Sequence, residues 1–168
     1  MVRFIGKFLV KVFSKIYICY TNYQLKILYG NKIKIGNKVS YRRGFKVKIE
    51  EIGTLSIGDY TSFNYNCSIS CLRNVEIGEY CLIGENVKFY DHNHRFSDST
   101  KRIIEQGFTV GSIRIGNNCW IGSNVTLLKG VTIGDNVVIG ANCLINKSIP
   151  SNTIVKNQNH LQLEQRRN

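Results

Sequence analysis

The strongest constraint on this chain is a period of six. Residues 115–150 read IGNNCW, IGSNVT, LLKGVT, IGDNVV, IGANCL and INKSIP. An aliphatic residue opens each hexad, and a small or β-branched one sits four places on. Gly116, Gly122, Gly134 and Gly140 fill the second position. The unit also runs as IGDYTS, FNYNCS and ISCLRN from Ile57, and as IGEYCL and IGENVK from Ile77. A weaker start, IGNKVS, lies at Ile35. A helix repeats its apolar positions every ~3.6 residues, so this spacing is not helical. It predicts short strands separated by Gly and Asn turns. Six-residue sides that stack coil on coil make a parallel β-helix, with about 18 residues in each three-sided coil. Two inward slots per hexad then fill one continuous core.

This register accounts for most of the cysteines. Cys67, Cys81, Cys119 and Cys143 occupy the small inward slot, where a thiol acts as a small hydrophobe. Cys71 falls at a different slot, and Cys19 lies in the N-terminal segment. No C-x-x-C pair is present, which gives a cysteine zinc site little support. A chain of 168 residues without a secretory signal is expected to be one domain with reduced thiols.

The N-terminal MVRFIGKFLVKVFSKIYICYTNYQLKILYG is apolar and basic. Lys7, Lys11 and Lys15 recur every four residues, on one helical face, with Phe4, Phe8, Val12 and Ile5, Leu9, Phe13 on much of the rest. An amphipathic helical segment is therefore expected over residues 1–30. Three lysines at bilayer depth argue against a membrane span, and the lack of a cleavage motif argues against a signal peptide. Two uses remain: residues 1–20 lie peripherally on an anionic membrane, or the helix caps the repeat stack. The solenoid domain is expected over 31–155, followed by a tail at 156–168. The net charge of +12 suits an anionic partner. No nucleic-acid motif accompanies it, and aromatics do not alternate with the basic residues, so nucleic acid is not an expected partner.

The repeat breaks once. It holds through IGENVK, starts a side at Phe89, and fails over DHNHRFSDSTKRIIEQGFTVGS, residues 91–112. A β-helix extrudes such an insertion as a flanking loop. His92 and His94 stand at the root of this loop, where the rigid coil can hold them. Imidazole titrates near neutrality and suits general-base work. Asp91 and Glu105 are candidates to orient it, although the plainer expectation for each is a solvated loop charge.

IGENVKFYDHNHRF followed by the hexads of residues 113–150 resembles the hexapeptide-repeat acyltransferases, and among them the sugar and capsular polysaccharide O-acetyltransferases. The resemblance covers residues 35 to about 154. It implies an all-β fold, a left-handed parallel β-helix. It implies a homotrimer with sites in the grooves between subunits, and acetyl-CoA as co-substrate with no metal. An ungapped count from Ile83 places the family's catalytic histidine on His94, with Arg95 in place of the usual proline and His92 as a neighbour. By the same carry-over, Asn64 lies near the acceptor hydroxyl and Trp120 flanks the groove. The Ser123 amide faces the thioester oxygen, Ala141 lets the pantetheine arm pass, and Lys147 lies near the coenzyme phosphates. The family's G-x-P-A-[KR] segment is absent, and Lys156, Arg166 and Arg167 are candidate replacements. The implied acceptor is a sugar of a cell-surface polysaccharide, in the cytoplasm or at the inner membrane face; serine, a free sugar or an antibiotic are alternatives. Two rivals stand beside this. A gamma-class carbonic anhydrase would need His92, His94 and His160 on zinc. A basic scaffold would need no active site.

Overall fold

The computed structural model describes residues 2–50 and 52–157, the side chains of residues 2–8, 10 and 11 excepted. Helix α1 (Val2–Tyr29) is followed by stacked coils of three short strands each. Coil one holds β1 (Ile33–Ile35), β2 (Ser40–Tyr41) and β3 (Lys46–Ile49). Coil two holds β4 (Thr54–Ile57), β5 (Ser62–Phe63) and β6 (Ser68–Cys71). Coil three holds β7 (Asn74–Ile77), β8 (Leu82–Ile83) and β9 (Lys88–Tyr90). The insertion then forms β10 (His92–His94) and β11 (Phe108–Val110). Coil four holds β12 (Ile113–Ile115), β13 (Trp120–Ile121) and β14 (Thr126–Leu128). Coil five holds β15 (Thr132–Ile133), β16 (Val138–Ile139) and β17 (Leu144–Ile145), and β18 (Ile154–Val155) begins a further turn.

Equivalent strands pair in parallel and make three faces. The first is β1-β4-β7-β12-β15, the second β2-β5-β8-β13-β16-β18, and the third β3-β6-β9-β14-β17. The hexapeptide β-solenoid expected from the period is thus present. Ile115 pairs with Ile133, a return after 18 residues as the period predicts. Earlier coils are longer: Ile35 pairs with Ile57, 22 residues on.

Both inward slots are buried along the stack. Ile57, Phe63, Ile77, Ile83, Phe89, Ile115, Ile121, Leu127, Ile133 and Ile139 fill the first slot, and Cys67, Cys81, Val87, Cys119, Val125 and Val137 the second. Cys67 Sγ donates to the Gly84 carbonyl at 3.0 Å, and burial pushes its pKa up. Cys71, which the hexad register left unassigned, is also buried, because β6 continues its in-out alternation for four residues. Burial, with Asp91 beside it, pushes the Cys71 thiol to about 12. A thiol that resists ionisation is a poor nucleophile and an inert filler.

The corners need a left-handed backbone. Asn66, Asn86, Asn118, Asn124, Asn136, Asn142 and Asn152 have φ between 53° and 61°. Asparagine tolerates this region better than any other side-chain-bearing residue. Stacked corner amides also bond each other: Asn86 Nδ2 donates to Asn124 Oδ1 at 2.8 Å, and Asn118 Nδ2 to Asn136 Oδ1 at 2.9 Å.

α1 packs against the first coil. Leu25 and Thr21 are buried, Tyr17, Ile18 and Tyr29 lie against the core, and Tyr29 Oη donates to the Val47 carbonyl at 2.9 Å. Beneath it Tyr41 stacks on Phe45 at 4.4 Å, and Phe45 meets Phe63 at 4.8 Å. No helix among the described residues is long and apolar enough to cross a membrane. The side chains of Lys7 and Lys11 lie outside the described ones.

Candidate active site

The insertion leaves the solenoid at the corner between the third and first faces, and it is ordered at its root. β10 and β11 pair antiparallel, with His92 opposite Val110, Asn93 opposite Thr109 and His94 opposite Phe108. Beyond them the tip folds on itself: Gln106 Nε2 donates to the Asp98 carbonyl at 2.8 Å, and Arg95 N–H to the Gly107 carbonyl at 3.0 Å. What the sequence marked only as an extruded loop is a long hairpin.

Asp91 is its anchor, and here the solvated charge expected at this position is corrected. Phe89 points inward, Tyr90 outward and Asp91 inward again, so the alternation of β9 carries the carboxylate into the interior, where it is fully buried. Asp91 Oδ1 accepts the Leu72 N–H at 2.8 Å, and Oδ2 accepts those of Arg73 at 2.7 Å and Asn74 at 2.9 Å. Burial alone would raise its pKa; the bonds from Leu72, His92 and Arg73 outweigh it and leave the group held below its ordinary value. A charge is therefore stable here because it closes the corner of the coil below.

The same carboxylate holds His92, whose Nδ1 lies 2.9 Å from Asp91 Oδ1. A carboxylate oxygen only accepts, so Nδ1 is the donor in that bond and Nε2 is the ring nitrogen that Asp91 does not hold. Phe108 packs edge-on to the His92 ring at 5.3 Å and tilted against the His94 ring at 4.4 Å. His92 is half-buried and His94 exposed, both on one side of β10. Glu105 lies exposed near the hairpin tip, 3.7 Å from Arg102, and so matches the solvated-charge expectation.

The other candidates align on a different edge. Asn64, Ser123 and Ala141 follow β5, β13 and β16 at the corner between the second and third faces. The chain passes close between coils here: a Cβ on Gly122 would meet the Ala141 nitrogen at 2.6 Å. Trp120 stands outward on the second face, 56% exposed, paired with Leu82 below and Val138 above. Within one chain the third face therefore separates Ser123 and Trp120 from His94. Lys147 follows β17 and lies exposed on the hairpin's own edge, and Lys156 is exposed after β18. His160, Arg166 and Arg167 lie outside the described residues. Among the described residues, no group of three His, Cys, Asp or Glu side chains could hold a metal ion.

The family model for the bacterial transferase hexapeptide (six repeats) matches residues 112–147. The "Putative lipopolysaccharide biosynthesis O-acetyl transferase WbbJ" of Escherichia coli is 34% identical over 130 residues, covering 73% of this chain and 66% of that protein. A "Probable acetyltransferase" of Mycobacterium tuberculosis is 32% identical, covering 78% and 41%. This chain thus spans roughly two fifths to two thirds of the length of the curated relatives it matches. Among solved structures, the hexapeptide-repeat acetyltransferase of Vibrio cholerae aligns with a TM-score of 0.70 at 28% identity, over 82% of this chain and 74% of that one. Its complex with acetyl coenzyme A aligns at 0.66, also at 28% identity, over 79% and 71%. Period, coil architecture and relatives agree, and the chain belongs to the hexapeptide-repeat acetyltransferase family.

Proposed function

We propose that this protein transfers an acetyl group from acetyl coenzyme A to a sugar hydroxyl during cell-surface polysaccharide synthesis. The observation that carries this reading is the Asp91-anchored root of the hairpin, which presents two imidazoles beside a solenoid of the acetyltransferase family. The acetyl-CoA complex of the Vibrio cholerae relative supports the donor, and the name of WbbJ supports the acceptor class.

In this reading His94 takes the proton of the acceptor hydroxyl as its oxygen attacks the thioester carbonyl. The Ser123 N–H faces the oxyanion of the tetrahedral intermediate. Collapse breaks the C–S bond, the coenzyme thiolate recovers the proton from the imidazolium, and the acetyl ester leaves. Trp120, Ser123, Ala141 and Lys147 bind the coenzyme, while Asn64 and Trp120 face the acceptor. His94 and Ser123 lie on different edges of one chain, so the site forms between neighbouring copies in a homotrimer.

A second assignment has an observation of its own: the Asp91 carboxylate orients His92, which would make Nε2 of that ring the base. Transfer assays against nucleotide sugars and purified polysaccharide separate the two. His94→Ala is expected to lower turnover by about 10²–10⁴-fold with the fold intact. An active His94→Ala beside a dead His92→Ala moves the base to His92. If calorimetry finds no acetyl-CoA binding at all, the protein is a scaffold and the proposal fails.

A further inference from the structure

The net charge is not spread along the chain. Residues 1–49 hold twelve of the 23 Lys and Arg and none of the eleven Asp and Glu, and the remaining 119 residues hold eleven of each sign. The entire imbalance therefore sits in α1 and the first coil, while the body of the solenoid is neutral.

α1 also carries more apolar surface than the solenoid covers. Thr21 and Leu25 turn into the first coil. Opposite them Leu9, Phe13, Ile16, Tyr20, Tyr23 and Ile27 are all exposed. Their spacing alternates between four and three residues, which makes one continuous stripe along the helix. At about 100° per residue, Lys15 and Lys26 fall on one flank of it. On the other flank Phe13, Ile16 and Tyr20 share an open groove of about 720 Å³ with Arg42 and Arg43. Lys46 lines an adjoining groove with Tyr20. An apolar stripe is thus bordered by cations on both sides.

We propose that this stripe docks on an anionic lipid bilayer, with α1 lying in the plane of the interface. Apolar side chains enter the acyl boundary, Tyr20 and Tyr23 place their rings and hydroxyls at headgroup depth, and the flanking cations meet lipid phosphates. Charge selects this occupant over a second α1. Helices that pair through such a stripe need complementary flanks, and these flanks are basic with no acid to answer them. One face of α1 therefore holds the solenoid and the other the membrane. The inference does not depend on acetyl transfer, which soluble acceptors test separately.

The test is flotation of the full-length protein with vesicles of pure phosphatidylcholine, or of phosphatidylcholine with about 30% phosphatidylglycerol. The expected result is at least about tenfold tighter binding to the anionic vesicles, weakened when salt rises from about 0.1 to 0.5 M. Ile16→Glu with Tyr23→Glu should abolish binding while leaving thermal unfolding of the solenoid in place. Arg42→Gln with Arg43→Gln should reduce the preference for anionic lipid. No binding to either vesicle, or equal binding to both, overturns the proposal. So does a stripe variant that changes the sedimenting mass but not the lipid binding, since the stripe would then pack on another copy.

Discussion

Asp91 shows how much one inward-pointing side chain decides. It satisfies three amides at the turn from the second coil into the third and one imidazole. Asp91→Ala would leave those part-buried donors without their acceptor, at about 1–3 kcal/mol for each one that stays unpaired, so a loss on the order of 3 kcal/mol is expected. The dependence on pH follows from its lowered pKa. A carboxylate held below its unfolded value of about 3.9 stabilises the fold above that pH and stops doing so as pH falls through the folded value. Urea unfolding of the two proteins should show their widest gap near neutrality and a narrowing gap below about pH 4. A constant gap would mean that the group contributes by shape and not by charge. The position was legible in principle: Phe89, Tyr90 and Asp91 continue the alternation of β9, and the third residue of that run points inward. Reading the loop as starting at Asp91 assigned it to solvent. His94 is the reverse case. The family register supplies its number, but its exposed setting against Phe108 depends on a pairing between residues fourteen apart.

At the scale of elements, the coils were legible because their rule is local. Each hexad specifies its own two inward slots and its own corner, and stacking repeats that rule. The hairpin was not legible, because β10 and β11 are three residues each, are separated by a polar segment, and have no short turn motif between them. α1 was legible as a helix from its spacing, and packing on the end of the repeat stack was one of its two expected uses; Thr21 and Leu25, buried against the first coil, show that packing. The corners offer a direct measurement. Asn136 has φ 56°, accepts from Asn118 and donates to Asn152 at 3.1 Å. Asn136→Gly keeps the backbone at ease and loses only these exposed bonds, at about 1 kcal/mol. Asn136→Ala adds left-handed strain of roughly 1–2 kcal/mol. Urea midpoints should therefore rank wild type above glycine and glycine above alanine. Should alanine equal glycine, the amide ladder and not the backbone is what asparagine supplies.

At the scale of the molecule, the outward side of the second face changes character along the stack. Its paired column runs Ser40, Ser62, Leu82, Trp120, Val138, Ile154. The first two are polar; Leu82, Trp120 and Ile154 are each more than half exposed. A continuous apolar column on a neutral body marks a partner surface. Under the proposed function a like chain is the partner that would complete the site, because one chain holds Trp120 and Ser123 on one side of the third face and His94 on the other. Cyclic closure would set the hairpin of each copy against the Trp120 edge of the next. Leu82→Glu with Ile154→Glu should convert a species of three chains into one by sedimentation, with the coils intact and transfer lost. Complementation tests the shared site itself. Chains carrying His94→Ala and chains carrying Trp120→Ala, each inactive alone, are refolded together. Random mixing joins an intact His94 edge to an intact Trp120 edge in about one groove of four, so about a quarter of wild-type activity should return. If none returns although the mixed trimers form, His94 and Trp120 serve the same site from the same chain, and the composite groove is wrong.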